Sequence, residues 1–453
     1  MWGAPLAAPT ETTFKEKDMT AYSPMTNLPE APGYKKGDLL VLFGELFGRG
    51  YANGIVDEAR RAGMTVVGAT VGRRDNGGEL RPLTTGELAE AEALLGGKII
   101  NIPLEAGFDL EPADDGVSPV ERLKGIKPDE WESARFGEGL LEQSRCNGVA
   151  RFEANLERFV AELKPFIPAG GSVLFVHTMA GGIPRVRLFM PLLNRIFKGT
   201  GDKFLPSERF WNSELGRFSQ LNFNEVTADT FGRLLEGTVA LRGEIEARGG
   251  AVRYAAYGYH GCAVLLGGEY VWQSYTPYVQ GEAKMRLEGI AEAAWQQGVK
   301  AAVYNCPEIQ TNSSTLFLGV ELSLYPFLSA LEREGGGEMA EQAKRECAQL
   351  LKEGVTLDRM LALAEEYLVS PLMAGFRDFA AWPQHNTKEQ MAFMLERSQE
   401  LMALSADQKR VVCAELSRLV FQGVGRLMFD DSWSPRGAVT WLNHDIIARR
   451  LVS

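Results

Sequence analysis

Two tyrosines precede a lysine in the stretch YTPYVQGEAK, which runs from Tyr275 to Lys284. A phenol can donate a hydrogen bond to an oxygen on which negative charge develops, and such a donor typically accelerates a reaction by ~100- to 1000-fold. A nearby lysine ammonium favours the phenolate form of a tyrosine. This stretch is therefore a candidate catalytic Tyr/Lys pair, with a pocket wall as the structural alternative for Tyr275.

Helix geometry distinguishes the two tyrosines. Pro277 is a suitable first residue for the helix that carries Lys284, because its missing N–H would be unpaired at that position. Tyr278 lies so far before Lys284 that the rotation between them is roughly 600°, which leaves the two side chains about 120° apart on the helix. Tyr275 lies ahead of the helix, where a loop can bring its phenol to the lysine. The sequence predicts Tyr275 as the catalytic tyrosine and Tyr278 as a packed aromatic.

A glycine turn provides a candidate cofactor site. The segment FGELFGRG places Gly44, Gly48 and Gly50 between a predicted strand and a predicted helix. Glycines permit a tight turn and a close backbone approach, and the helix N-terminus offers N–H groups to a pyrophosphate. This placement favours a dinucleotide-binding turn over a glycine turn without a ligand.

The end of the next predicted strand bears on the choice of dinucleotide. It reads VGRRD, with Arg73 and Arg74 where the adenosine ribose would lie. A carboxylate there would hold the ribose 2′-hydroxyl of NAD, whereas guanidinium groups bind a 2′-phosphate. The sequence therefore favours NADP, with NAD or a pair of solvated surface arginines as the alternatives.

The elements that would position these residues alternate along the chain. Six segments are predicted strands: GDLLVLFG, MTVVGATVG, GKIINIPLE, GGSVLFVH, AVRYAAYGYHG and VKAAVYNCPEI. Helical patterns separate them, among them YANGIVDEARRAG, RFEANLERFVAELKPFI after an irregular acidic segment (108–150), and one long helix, TADTFGRLLEGTVALRGEIEARGG. Such alternation predicts an α/β fold with a doubly wound (Rossmann) parallel sheet.

This alternation also suggests a division of the chain. We expect a poorly ordered leader (1–37), a Rossmann-type catalytic domain that binds NAD(P) (38–318), and a helical C-terminal extension (319–453) that acts as a lid or a substrate pocket.

Composition excludes several functional classes. The formal net charge of −11 argues against a general binder of nucleic acid or anionic membranes. The five cysteines are scattered without a CxxC pair and the four histidines are dispersed, so no disulfide framework and no metal site are expected. The first residues lack the pattern of a secretory signal, with Met19 as an alternative start, and no apolar stretch reaches the ~20 residues of a membrane span. We expect a cytoplasmic protein.

Three features together resemble the short-chain dehydrogenase/reductase superfamily over residues 38–318. They are the glycine turn, the segment Met179-Ala180-Gly181 where the family usually has Asn-Ala-Gly, and the Tyr…Lys pair. AAYGYHG, followed by a tyrosine, eight residues, a lysine and MRLEGI, is most similar to the enoyl-thioester reductases, and its spacing matches the long trans-2-enoyl-acyl-carrier-protein/CoA reductases. The long reductases have a different glycine turn, and several extra residues lie between Tyr259 and Tyr275. The chain is therefore identified as a divergent member.

The resemblance implies NAD(P)H-dependent reduction of the carbon–carbon double bond of a 2-enoyl thioester, carried on CoA or on acyl-carrier protein. Tyr275 would donate to the thioester oxygen and Lys284 would bind the nicotinamide ribose. Tyr259 lies where carbonyl-reducing members have serine, which favours C=C over C=O reduction; a strand-end aromatic is its structural alternative. The helix position where ordinary members carry a catalytic asparagine is assigned to Thr238.

Further assignments by resemblance concern the cofactor and the acyl chain. Gly181 would line the cofactor, the Ile309 backbone and the Thr311 hydroxyl would meet the carboxamide and the pyrophosphate, and Glu105 would accept from the adenine amino group. The run LFLGVELSLYPFLSALE after Thr311 is expected to wall the acyl pocket, with an ordinary core helix as the alternative.

Two other functions stay open. One is a carbonyl oxidoreductase (3-ketoacyl or alcohol) of the same superfamily, and the other is a dinucleotide-binding scaffold without catalysis. The threonine at position 238 lends some weight to the scaffold. Assembly into a homo-oligomer also stays open.

Overall fold

A seven-stranded parallel sheet lies at the centre of the computed structural model, which describes residues 20–274, 279–311, 319–381 and 385–453. The strands of these ranges are β1 (Leu39–Phe43), β2 (Thr65–Thr70), β3 (Arg73–Arg74), β4 (Leu80–Arg81), β5 (Lys98–Pro103), β6 (Val173–His177), β7 (Val252–Gly258), β8 (Gly261–Leu266), β9 (Glu269–Ser274), β10 (Ala301–Asn305) and β11 (Val439–Trp441). The sheet order is β11-β10-β7-β6-β1-β2-β5, and every neighbouring pair in it is parallel.

The α-helices of the described ranges are α1 (Ala52–Arg61), α2 (Thr85–Leu95), α3 (Pro119–Arg122), α4 (Leu140–Leu163), α5 (Phe189–Phe197), α6 (Ser207–Trp211), α7 (Glu214–Asn224), α8 (Thr230–Gly237), α9 (Val239–Ala247), α10 (Val279–Gln296), α11 (Phe327–Arg333), α12 (Gly337–Ala348), α13 (Leu357–Val369), α14 (Lys388–Ala403), α15 (Val412–Trp433) and α16 (His444–Val452). Short 3-10 helices span Trp131–Ser133, Lys164–Phe166, Gly201–Lys203, Val320–Leu324, Pro371–Arg377 and Phe379–Ala381, and a π-helix spans Glu225–Asp229. No helix in these ranges is long and apolar enough to cross a bilayer.

Successive side chains of β1 belong to different cores, because side chains alternate across a strand. Leu40 and Leu42 join a core with α1 and the C-terminal helices, whereas Leu39, Val41 and Phe43 join a core with α4, α8 and α10. The sheet is therefore covered on both faces, which explains the nearly continuous apolar runs in its strands. The six predicted strands are present and the predicted doubly wound α/β class is confirmed.

The C-terminal part packs directly on the first helix of the sheet domain. Helices α1 and α15 cross where Gly54 meets Gly425, and a Cβ on Gly425 would lie 2.5 Å from the Gly54 Cα. The predicted helical character of this part is confirmed, but β11 was missed. Its three residues, from Val439 to Trp441, add the seventh strand beside β10. A strand of this length is too short to show a period of two.

Residues 20–37 are the described part of the predicted leader. The backbone N–H of Met25 donates to the Trp441 carbonyl at 2.9 Å, and the hydroxyls of Tyr34 and Ser432 are 3.0 Å apart. This segment therefore packs along β11 and α15, while residues 1–19 lie outside the described ranges.

Three further predictions of local structure were incomplete. Helix α4 begins at Leu140, inside the segment predicted to be irregular, and the predicted long helix is divided into a π-helix, α8 and α9 at Thr238. The residues ahead of Tyr275 form an antiparallel hairpin, β8–β9, that turns at Gly267-Gly268 with both φ angles positive. A Gly-Gly pair between apolar runs is a hairpin signal, so this element was predictable.

An additional module covers one end of the sheet. We call residues 108–140 and 183–223 the insert module; their apolar side chains form a separate core that also contains Ala283 of α10. Tyr259 packs against this core. The insert module thus borders the helix of Lys284 and the end of β7.

Candidate active site

The candidate crevice lies where the strand order reverses, beyond the carboxyl ends of β1 and β6. Gly44 follows β1 with a φ of 137°, and a Cβ there would lie 2.3 Å from the Thr178 Oγ1. Gly50 has a φ of 147° just before α1. Both positions therefore require glycine. Gly48 has neither a positive φ nor a close neighbour, so its backbone conformation does not require glycine.

The turn after β6 closes the other side of the crevice. Gly181 has a φ of 107°, its N–H donates to the Thr227 Oγ1 at 3.1 Å, and the Thr227 hydroxyl donates to the Gly181 carbonyl at 2.9 Å. Thr227 belongs to the π-helix, and π-helical turns frequently occur at functional sites. The glycine turn after β6 is thus held by a side chain that no motif in the sequence marks.

Thr238 does not lie at this end of the sheet. Its hydroxyl is 2.7 Å from that of Tyr254, near the amino end of β7, and donates to the Leu234 carbonyl at 2.6 Å. The hydroxyl that lies beside the last residue of β6 is that of Thr230, 2.8 Å from His177 Nε2. Assigning the catalytic-asparagine position to Thr238 was therefore wrong, because the length of α8 separates Thr238 from Thr230 and from the end of β6.

A cavity of about 360 Å³ lies beside the carboxyl ends of β1 and β2, and Gly44, Glu45, Thr70 and Arg73 are among its lining residues. The Oε1 atom of Glu45 accepts from the Thr70 hydroxyl at 2.7 Å, from the Val71 N–H at 3.1 Å and from Arg73 Nη1 at 2.8 Å. A carboxylate therefore occupies the end of β2, although it comes from the turn after β1. Sequence reasoning missed Glu45, whose position beside Gly44 was the available signal.

The fold brings Arg74 and Glu105, both predicted to bind the cofactor, together in an ion pair with each other. Arg74 Nε donates to Glu105 Oε2 at 2.8 Å, and Glu105 also pairs with Arg185. Arg185 in turn contacts Asp109 at 2.6 Å, in the insert module. The carboxylate that was predicted to accept from an adenine is thus the centre of an ion-pair chain, and Arg73 and Arg74 each have an acidic partner.

Lys284 lies on α10 beneath the carboxyl ends of β7 and β10. It is 5% exposed, and its ammonium donates to the Tyr257 carbonyl at 2.6 Å. Burial lowers the pKa of Lys284 to about 8. Burial also lowers the pKa of His177 well below its usual value, and the Lys284 charge adds to that shift. The site therefore contains a buried, proton-labile amine of the kind found at functional positions.

The remaining predicted residues lie around the same end of the sheet. Tyr259, directly after β7, donates its hydroxyl to the Glu308 carboxylate, and Ile309 is buried in the loop after β10. Thr311 ends this described loop. Tyr275 lies outside the described residues, as do Pro277 and Tyr278, so the choice between the two tyrosines stays a prediction.

The run predicted to wall the acyl pocket is described from residue 319 onward. Phe327 and its buried neighbours join the core beside α1 and α15, which also contains Ile309 and Tyr257. The insert module approaches Tyr259 from another side. Two apolar regions thus border the described part of the candidate site, at Tyr257 and Tyr259.

The crevice fits a dinucleotide. The glycines at 44 and 50 adopt backbone conformations that leave room for a ligand at the N-terminus of α1, whose N–H groups attract phosphate. The cavity beside β2 is within the size range of ligand pockets. Gly44, Gly50 and Glu45 would hold its adenosine diphosphate part, and Lys284 its nicotinamide ribose.

Two solved structures are similar to the chain over nearly its full length. One is an apo structure of FabMG, a novel type of enoyl-acyl carrier protein reductase; it is 50% identical, has a TM-score of 0.92, and the match covers 96% of this chain and 98% of that one. The other is an NADH-bound structure of FabMG, which is 42% identical with a TM-score of 0.77 and coverage of 96% and 99%. No curated protein matches the chain.

The family comparison covers the same length. The model of the family described as "Enoyl-acyl carrier protein reductase FabMG" matches residues 21–451. This confirms the sequence-based prediction of a divergent, nicotinamide-dependent enoyl reductase in fatty-acid metabolism. The chain belongs to the enoyl-acyl carrier protein reductase FabMG family.

Proposed function

We propose that this protein reduces 2-enoyl thioesters on acyl-carrier protein and that it uses NADH in preference to NADPH. The observation that carries the reaction is the buried Lys284 ammonium at the nicotinamide end, next to a strand end that presents Tyr259. The family and its full-length structural match support the enoyl substrate and the carrier.

The proposed catalytic roles follow from where charge develops. A bound nicotinamide supplies hydride to the β-carbon, which leaves negative charge on the thioester oxygen. Tyr275 donates a hydrogen bond to that oxygen and stabilises the enolate. Tyr259 lines the same end, and its hydroxyl is oriented by Glu308.

Lys284 has two proposed functions. An ammonium has three donors, and the Tyr257 carbonyl takes one of them. The other two are available for a ribose hydroxyl and for the phenol of Tyr275. Its charge lowers the cost of negative charge on the phenol and on the enolate.

The cofactor preference rests on Glu45. Its carboxylate lies at the end of β2, where a ribose 2′-hydroxyl would donate to it and a 2′-phosphate would be repelled. Arg73 and Arg74, from which the sequence predicted NADPH, are already paired with Glu45 and Glu105. The NADH-bound FabMG structure supports NADH as a cofactor of this family.

The division of the chain is part of the proposal. Residues 38–318 hold the dinucleotide and the catalytic residues, and residues 319–453 cover the sheet and border the acyl group. The cytoplasmic location and a homo-oligomer stay predictions from the sequence.

A turnover assay tests the reaction. Purified protein should oxidise NADH with crotonyl-acyl-carrier protein faster than with crotonyl-CoA, and it should not reduce a 3-ketoacyl thioester. Oxidation of NADH only with the ketone would assign the chain to carbonyl reduction. Binding of NADH without turnover of any thioester would identify a scaffold.

A variant tests the cofactor assignment separately. Glu45→Gln should weaken NADH by about 10-fold or more, as expected for the loss of a charged hydrogen-bond acceptor, and should narrow the gap to NADPH. Glu132→Gln, which removes an exposed partner of Arg209 in the insert module, is the control and should change neither affinity. Tighter binding of NADPH than of NADH by the native protein would contradict the assignment.

A further inference from the structure

Tyr51 connects three parts of the crevice that belong to different elements. It directly follows Gly50 and immediately precedes α1, at the end of the glycine turn. Its hydroxyl donates to the Pro307 carbonyl, in the loop after β10. Its ring stacks on that of Tyr257 with centroids 5.6 Å apart and planes at 24°. Sequence analysis did not single out this residue.

The contact with Tyr257 extends to the catalytic lysine. The Tyr257 hydroxyl donates to the Tyr51 carbonyl at 3.3 Å, while the Tyr257 carbonyl accepts from Lys284 at 2.6 Å. The loop that Tyr51 reaches also contains Glu308, the partner of Tyr259. One side chain therefore contacts both the strand residue that fixes Lys284 and the loop that orients Tyr259.

The position of this bridge relates it to one half of the cofactor. A dinucleotide whose pyrophosphate meets the N-terminus of α1 places its adenosine toward β2 and its nicotinamide toward β7 and β10. Tyr51 lies on the nicotinamide side of the turn, because its partners are on β7 and after β10. The adenosine side is lined instead by Glu45, Thr70 and Arg73.

We propose that Tyr51 is a positioning residue that sets the nicotinamide ring of the dinucleotide by fixing the loop after β10 to the glycine turn. A phenylalanine would fill the same space and keep the stacking, so only the hydrogen bond to Pro307 distinguishes tyrosine at this position. The proposal rests on dinucleotide binding alone and does not depend on which thioester is reduced.

A pair of ligands separates this function from a general structural one. ADP-ribose carries the adenosine, the pyrophosphate and the second ribose but lacks the nicotinamide ring. In Tyr51→Phe, calorimetric titration should show NADH weakened by about 3- to 10-fold, the range of one lost hydrogen bond. The affinity for ADP-ribose should be unchanged, which also shows that the variant is folded.

Tyr34→Phe is the matched control. Tyr34 is a buried tyrosine near Asp38 and Arg253, at the amino ends of β1 and β7, away from the candidate site. Its hydroxyl lies 3.0 Å from that of Ser432. This variant should lose stability without a change in either affinity. Equal weakening of NADH and ADP-ribose in Tyr51→Phe would mean that the tyrosine only maintains the turn, and this would overturn the proposal. Tighter or unchanged NADH binding would overturn it as well.

Discussion

The adenosine end and the nicotinamide end of the crevice use charge in opposite ways. At the proposed adenosine end Arg73 is 41% exposed and pairs with Glu45, and the less exposed Arg74 pairs with Glu105, so each arginine has an acidic partner. At the nicotinamide end Lys284 is buried, contacts a carbonyl, and has its pKa lowered to about 8. A charge that selects a ligand can remain partly solvated with little loss of folding free energy. A charge that stabilises negative charge developing in a reaction acts more strongly when it is buried away from water.

The largest expected effect belongs to the nicotinamide end. Tyr275→Phe should lower kcat by roughly 100-fold or more with little change in NADH affinity, because the donor acts on charge that develops only in the reaction. Tyr278→Phe is the matched variant and should stay active. A reversed result, with Tyr278→Phe inactive and Tyr275→Phe active, would mean that the helix geometry was misread.

The burial of Lys284 should lower the free energy of unfolding. Its pKa of about 8 in the folded protein, against 10.5 for an ordinary lysine, corresponds to about 3 kcal/mol of unfavourable burial of charge below pH 8. Lys284→Met should therefore impair turnover and NADH binding while raising the free energy of unfolding at pH 7 by about 1–3 kcal/mol.

The sign of this effect makes it testable by pH. Between about pH 8 and pH 10.5 the folded protein binds fewer protons at Lys284 than the unfolded chain does, so native stability rises with pH there. The advantage of Lys284→Met in denaturant unfolding should shrink across the same window. An advantage that stays constant with pH would show that the folded and unfolded states bind equally many protons at Lys284, so that burial does not lower its pKa.

The turnover number should depend on the same deprotonation of Lys284, but it should decrease as the pH rises. In the proposed mechanism the ammonium form of Lys284 is the active one, so kcat should fall as the pH rises through about 8. In Lys284→Arg the guanidinium keeps its proton, and any residual activity should lack this decline. A decline of equal size in the arginine variant would assign it to another group.

The smallest effect is expected at the adenosine end. Glu105→Gln removes one charge from the chain that runs from Arg74 through Arg185 to Asp109, and since the amide oxygen of glutamine can still accept a hydrogen bond, the expected cost is about 1–2 kcal/mol. The loss of unfolding free energy should be of that size and should diminish at high salt. A larger loss of unfolding free energy that does not depend on salt would show that the charges at the adenosine end behave like the buried charge of Lys284.

Local patterns in the sequence were sufficient for several features of the site. The six longer strands, the glycine turn at Gly44 and Gly50, and the helix of Lys284 were predictable because apolar periodicity and glycine conformations depend on neighbouring residues. The resemblance to the enoyl-thioester reductases followed from the same segments. The hairpin β8–β9 had a local signal as well, in Gly267-Gly268.

Contacts between distant segments decided the rest. The arginines after β2 favour NADPH in the sequence alone, and the fold pairs Arg73 with Glu45 and Arg74 with Glu105, across 28 and 31 residues. Thr230 lies at the end of β6, whereas Thr238 lies at the far end of α8, and β11 joins the sheet through its pairing with β10. Tyr51 reaches Pro307 across 256 residues. Such pairings depend on how elements pack in three dimensions, and no local period in the chain encodes them.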